Sequence, residues 1–157
     1  METVLITGGC GYIGSHIVLE CSKHYNVIII DNFSNSYESV YQILKKKSEN
    51  KVDLINVDLC DFNSLYSRFD FLKNSKIKCV IHIAAKKYVK ESVDDPLLYY
   101  CNNINSLNNL LSLMSLIECN YLIFSSSCTV YGNTHDVPIK ETHELSSSSP
   151  YGFTKVT

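Results

Sequence analysis

Short apolar runs alternate along the chain with longer stretches whose apolar residues recur every three or four positions, and turn residues stand between them. This alternation predicts β-α-β units around a parallel sheet. Strands are expected at Thr3 to Ile6, Val27 to Asp31, Asp53 to Val57, Cys79 to Ile83 and Tyr121 to Ser125. Helices are expected at Tyr12 to Cys21, Ser39 to Lys47 and Asn63 to Phe71. A long helix is expected at Leu98 to Ile117, where Leu107, Leu110, Leu111, Met114 and Ile117 fall three and four apart. "KKKSENK", Lys45 to Lys51, reads as a solvated helix end and turn. "SSSSP", Ser146 to Pro150, reads as a loop leading into a last helix that begins near Tyr151. The expected fold class is α/β, a doubly wound parallel sheet.

The first strand runs directly into "TGGCGYIGSH", which carries Gly8, Gly11 and Gly14 at intervals of three. In a strand-turn-helix of this kind the first glycine permits the tight turn, and the second lets backbone N–H groups approach a pyrophosphate. The third lets the helix pack on the strand, and the helix N-terminus favours the anion. Asp31, at the end of the second strand, supports the same reading. A carboxylate there accepts the ribose hydroxyls of adenosine and repels a 2′-phosphate, which argues for NAD over NADP. Together these features predict an NAD-binding Rossmann fold. Asp58 ends the third strand, where this topology puts the adenine; a helix N-cap is the other reading of that residue.

Composition narrows the classes. Fourteen basic and sixteen acidic residues give a net charge of -2, which offers no bulk electrostatic attraction for nucleic acid or an anionic membrane. No apolar run approaches the ~20 residues that span a bilayer, and no basic leader precedes Val4 to Ile6, so a cytoplasmic chain is expected. The seven cysteines, Cys10, Cys21, Cys60, Cys79, Cys101, Cys119 and Cys128, are scattered and never spaced C-x-x-C. Reduced, mostly buried thiols and no metal site are the expectation.

Tyr151 and Lys155 lie four apart in "PYGFTK" and so on one face of a helix. A neighbouring ammonium and a positive nicotinamide ring both favour a phenolate, which could serve as a base towards a sugar hydroxyl. Ser125, Ser126 and Ser127 in "FSSSCTVYG" are candidates to orient that hydroxyl at the carboxyl end of the fifth strand. Ser127 is preferred among them.

With these residues in view the chain resembles the UDP-glucose 4-epimerases of the extended short-chain dehydrogenase/reductase family. "TGGCGYIGSH", "DNFSNS", "VDLCD", "AAKKYVKESVDDPLLYYCNNI", "FSSSCTVYG" and "SPYGFTK" stand in the family's order and at close to its spacing. The resemblance implies Tyr12 and Ile13 at the pyrophosphate, Asp31, Asn32, Phe33, Ser34, Asn35 and Ser36 at the adenosine ribose, and Asp58 with Leu59 at the adenine. It implies Ile83, Ala84, Ala85 and Lys87 on the nicotinamide side, with Lys87 on its ribose and Asn102 a further cofactor contact. Ser127, Tyr151 and Lys155 would be the catalytic set, the last two also touching the cofactor, with Thr129 beside the sugar.

In that family Tyr deprotonates the 4-hydroxyl, NAD takes hydride from C4, and the 4-keto sugar turns over before the hydride returns. The substrates implied are UDP-glucose and UDP-galactose, and the reaction belongs to galactose metabolism. Several positions depart from the family. Lys86 stands at a usually apolar position, Ala85 and Lys90 at common glycines, and Cys128 at a small residue. Family members also continue past the lysine into a carboxyl-terminal substrate domain, so residues 1–157 are expected to be an incomplete NAD-binding domain, inactive alone and homodimeric when complete. Two other readings stand beside it. One is a related nucleotide-sugar dehydratase, decarboxylase or epimerase, although Cys128-Thr129-Val130 lacks the acidic pair that dehydration needs. The other is a non-catalytic NAD-binding module.

Overall fold

The computed structural model describes residues 1–135 and 137–157. They form two compact units, Met1–Ala84 with Leu107–Ser125 and Ala85–Ser106 with Ser126–Thr157. The strands are β1 (Thr3–Thr7), β2 (Asn26–Ile30), β3 (Val52–Ile55), β4 (Ile77–His82) and β5 (Leu122–Phe124). The helices are α1 (Tyr12–Cys21), α2 (Glu38–Lys47), α3 (Phe62–Tyr66), α4 (Phe69–Asn74), α5 (Val89–Asp94), α6 (Pro96–Tyr99), α7 (Asn105–Leu116) and α8 (Pro150–Val156).

All strands of the first unit are parallel, in the order β3-β2-β1-β4-β5. The chain winds outward from β1 to β3, then returns to the other side of β1 for β4 and β5. This reversal creates the switch point beside the carboxyl ends of β1 and β4, where open α/β sheets bind ligands. The continuous apolar runs of β1 and β2 follow from burial on both faces. Val4, Ile6, Val27 and Ile29 point to one face, where Val18 of α1 and Leu44 of α2 complete a core. Leu5, Ile28 and Ile30 point to the other, with Leu65 of α3, Leu72 of α4, and Leu110, Leu113 and Met114 of α7. The expected doubly wound sheet is therefore present.

Three helical expectations need correction. The helix expected at Asn63 to Phe71 is two, α3 and α4, parted where Ser67 Oγ donates to the Ser64 carbonyl at 2.6 Å in competition with the helix ladder. The long helix expected from Leu98 begins at Pro96, with the Asp95 side chain accepting from Leu98 N–H. It passes through a π-helical turn at Tyr100–Ile104 before α7. Along α7 the buried stripe takes Leu113, whereas Leu111 is exposed. Helix α5, whose one buried residue is Ser92, offered no apolar period to read. Helix α2 conforms closely, with Glu38 in its first turn and Lys45, Lys46 and Lys47 in its last, all favourable to the helix dipole.

The cysteines also differ from expectation. None of the seven is in a disulfide, yet Cys60, Cys101 and Cys128 are exposed and only Cys10 and Cys119 are buried. Burial pushes the Cys10 thiol up to about 12, so it stays protonated and packs as an apolar group.

Lys76, just beyond α4, holds φ +49° at an exposed position. A non-glycine residue there carries a cost of roughly 1 kcal/mol. Lys76→Gly should raise stability by about that amount, read as a higher urea midpoint with unchanged slope.

Candidate functional site

β1 ends at Thr7, and the chain turns sharply through Gly8 at φ +69°, with Gly8 N–H donating to the Ile30 carbonyl at 2.8 Å. A Cβ on Gly8 would stand 2.8 Å from Ala84 N, so the turn lies directly against the segment after β4. A Cβ on Gly14 would fall onto the Gly8 carbonyl oxygen and within 2.9 Å of Gly9 Cα. The third glycine is therefore required for the first turn of α1 to lie on the loop. Gly11 is the N-cap of α1 and supplies no side-chain cap, which leaves the amides of the first turn to meet an anion. Tyr12 and Ile13 project exposed side chains there, and their backbone forms that first turn.

Asp31 is buried at the end of β2 and accepts three hydrogen bonds. Oδ2 takes Cys10 N–H at 2.9 Å, while Oδ1 takes Phe33 N–H and Ser36 Oγ, each at 2.9 Å. The carboxylate thus ties the glycine loop to the Asn32–Ser36 turn, a role the sequence did not suggest. With about four acceptor sites on a carboxylate, one remains for a ribose hydroxyl. Asn32 Oδ1 accepts from Ser34 N–H at 3.0 Å and its Nδ2 donates to Asp58 Oδ2 at 3.0 Å. Asn35 is exposed beside them.

Asp58 Oδ1 accepts from Cys60 N–H at 2.8 Å, and the cap of α3 is Asp61 instead, whose carboxylate accepts from Ser64 N–H and Oγ. The N-cap reading of Asp58 is corrected accordingly. The Leu59 side chain sits in the core, leaving only its backbone for an adenine. Asn109 of α7, absent from the sequence candidates, donates to the Leu59 carbonyl at 2.8 Å and the Cys60 carbonyl at 3.2 Å.

The opposite wall of the switch point is fastened by Thr7. Its Oγ1 accepts from Ile83 N–H at 3.2 Å and Ala84 N–H at 3.3 Å, and lies 2.7 Å from Nδ1 of the buried His82.

The second unit holds the other candidates. Ser127 caps the 3₁₀ turn Cys128–Tyr131, its Oγ accepting from Thr129 Oγ1 at 2.9 Å and Thr129 N–H at 3.3 Å. Tyr151 and Lys155 lie on α8, which starts at Pro150 with the Ser149 hydroxyl as its cap, and both are buried. Asn103, another residue the sequence did not single out, uses its whole amide. Oδ1 accepts from Lys86 N–H and Asn102 Nδ2, each at 2.9 Å, while Nδ2 donates to the Lys86 carbonyl and Thr154 Oγ1, each at 3.0 Å. Thr154 Oγ1 in turn donates to the Tyr151 carbonyl at 2.7 Å. One side chain thereby links α8, Asn102 and the segment of Ala85, Lys86 and Lys87. Lys87 Nζ lies 5.9 Å from the centroid of the Tyr88 ring.

Burial pulls the Lys155 ammonium down to about 8 from its ordinary 10.5. It remains mostly charged at neutral pH. Because the folded value lies below the unfolded one, the unfolded chain binds more protons between pH 8 and 10.5, and this group makes stability rise with pH across that window. The cost, about 3 kcal/mol, is fully present below pH 8. Lys155→Met should stabilise the chain at pH 7 by up to about that amount and flatten the slope between pH 8 and 10.5, measured by urea denaturation at each pH.

Comparison with known proteins places these features. The sequence profile of a family described as GDP-mannose 4,6 dehydratase matches residues 5–157. UDP-glucose 4-epimerase 2 of Arabidopsis thaliana is 43% identical over 159 residues, covering 99% of this chain and 45% of the relative. Among solved structures, UDP-glucose 4-epimerase from Bifidobacterium longum in complex with NAD+ and UDP superposes with a TM-score of 0.91 at 36% identity. UDP-glucose-4-epimerase from Stenotrophomonas maltophila, with bound NAD and formylated UDP-arabinopyranose, gives 0.90 at 36%. Each covers 99% of this chain and is itself covered to 46%. The chain spans less than half the length of these relatives.

Proposed function

The chain belongs to the GDP-mannose 4,6 dehydratase family, and from that premise we propose that it binds NAD and forms the cofactor-binding and catalytic-residue part of a UDP-glucose 4-epimerase. The observation that carries this is the cradle at the switch point. The close approach of α1 to the loop that Gly14 permits, the first turn of α1 without a side-chain cap, and the spare acceptor site on Asp31 suit a pyrophosphate and an adenosine ribose. Gly8, Gly11, Gly14, Tyr12 and Ile13 would hold the pyrophosphate, Asp31 to Ser36 the ribose, and Asp58 with the Leu59 backbone the adenine. Ile83, Ala84, Ala85, Lys87 and Asn102 would hold the nicotinamide half. Bound there, NAD would supply reversible oxidation at C4 of the hexose.

The protein's own share of the chemistry is proton handling. Tyr151 takes the proton of the 4-hydroxyl, and the Lys155 ammonium on the same helix favours the phenolate. Ser127 Oγ has its lone pairs engaged by Thr129, so its hydroxyl proton is the part left to donate to a sugar oxygen. Chain past Thr157 would hold the nucleotide-sugar, and the cytoplasmic homodimer usual among UDP-glucose 4-epimerases is proposed for the complete protein. Dehydration is disfavoured despite the family's description, because no carboxylate follows Ser127 before Gly132. The test is conversion of UDP-galactose to UDP-glucose by the gene product carrying this chain, purified with its NAD. Interconversion without consumption of added cofactor supports the proposal. Release of a 4-keto-6-deoxy sugar, or no turnover with NAD bound, rejects it.

A further inference from the structure

Tyr99 has no accessible surface, and its ring meets the Tyr151 ring edge to face, with centroids 6.3 Å apart at 78°. The Tyr99 hydroxyl is fixed at both ends. It donates to Glu91 Oε2 at 2.6 Å and accepts from Tyr88 N–H at 2.9 Å. The groups come from three consecutive pieces of the second unit. Tyr88 is the N-cap of α5, Glu91 lies on α5, and Tyr99 ends α6, whose start is pinned by Asp95 and Pro96.

A buried tyrosine needs one partner to satisfy its hydroxyl, whereas this one has two, one of them a carboxylate from a residue otherwise exposed to solvent. The arrangement holds the Tyr99 hydroxyl from two sides, and with it the depth and tilt of the ring that packs against Tyr151. We propose that Tyr99, latched by Glu91 and the Tyr88 amide, is a positioning residue that holds the ring of the catalytic base in its reactive orientation.

The latch also separates the two adjoining phenols chemically. Burial and the Glu91 hydrogen bond raise the Tyr99 hydroxyl to about 12, so Tyr99 keeps its proton while its neighbour acts as the base. A proton lost from Tyr99 would break the bond to Glu91 and place two anions together. The structure thus commits one tyrosine of the pair to geometry and leaves the other for chemistry.

The proposal rests on the assignment of Tyr151 as base, and the experiment separates the two. In the gene product carrying this chain, Tyr99→Phe keeps the ring and removes the latch, and Glu91→Ala removes its acceptor. Both are expected to lower kcat about tenfold while leaving KM for UDP-galactose within twofold. Glu91→Gln, whose amide oxygen still accepts from the Tyr99 hydroxyl, is expected to restore most of kcat. Wild-type kcat in Tyr99→Phe and Glu91→Ala overturns the proposal, as does a loss in Glu91→Ala that Glu91→Gln does not repair. If the wild-type protein itself fails to interconvert the sugars, the proposed function has failed instead. The latch is then judged by ¹⁹F NMR of 3-fluorotyrosine-labelled chain, with the Tyr151 signal assigned by its loss in Tyr151→Phe. Two resolved ring orientations of Tyr151 in wild type that merge in Tyr99→Leu support a fixed ring, and identical spectra overturn it.

Discussion

Replacing Tyr151 with Phe should reduce interconversion of UDP-galactose and UDP-glucose by at least about a thousandfold, a loss on the order of 4 kcal/mol in transition-state stabilisation. The ring is buried and packed edge to face on Tyr99, so Phe fits the same space and removes only the hydroxyl. Binding of NAD and of the sugar nucleotide should change little, which puts the loss in kcat and not in KM. Progress curves with UDP-galactose, together with cofactor content after denaturation, read both quantities. Turnover within tenfold of wild type would assign the base to another group.

Gly14→Ala should be the most damaging single change in the cofactor cradle. Its Cβ would overlap the Gly8 carbonyl oxygen and press on Gly9 Cα at 2.9 Å. Both are backbone, so no rotamer relieves the overlap. Either α1 lifts off the loop or the loop shifts, and each outcome moves the amides proposed to hold the pyrophosphate. Overpacking against backbone costs about 3 kcal/mol or more, which corresponds to at least about a hundredfold loss of NAD affinity. Isothermal titration with NAD reads the affinity, and thermal melting without ligand separates lost binding from lost fold. Undiminished affinity in a folded Gly14→Ala chain would contradict the packing argument.

The sheet and the cradle were legible because local rules dictate them. Ile28 to Ile30 are apolar on both faces as a central parallel strand must be, and a glycine trio between strand and helix has a narrow set of uses. The sequence was less informative where a polar residue serves the interior. Asn103 and Asn109 look like ordinary surface positions in an asparagine-rich stretch, and only the folded chain shows each amide tying backbone segments together. The sequence offers Asp31 only as a candidate ribose acceptor, and its three internal bonds depend on Cys10, Phe33 and Ser36 meeting it in the folded chain. The π-helical turn at Tyr100–Ile104 has no periodic signature, and it interrupts what reads as one long helix.

The central claim is that the turn between β1 and α1, with Asp31, holds the phosphates and adenosine ribose of NAD. Calorimetric titration of this chain with NAD and, separately, with NADP tests it directly. One NAD should bind per chain, NADP should bind at least about tenfold more weakly because its 2′-phosphate meets the Asp31 carboxylate, and Gly14→Ala should abolish the NAD signal. A folded chain that takes up neither dinucleotide, or that takes up NADP in preference, contradicts the account.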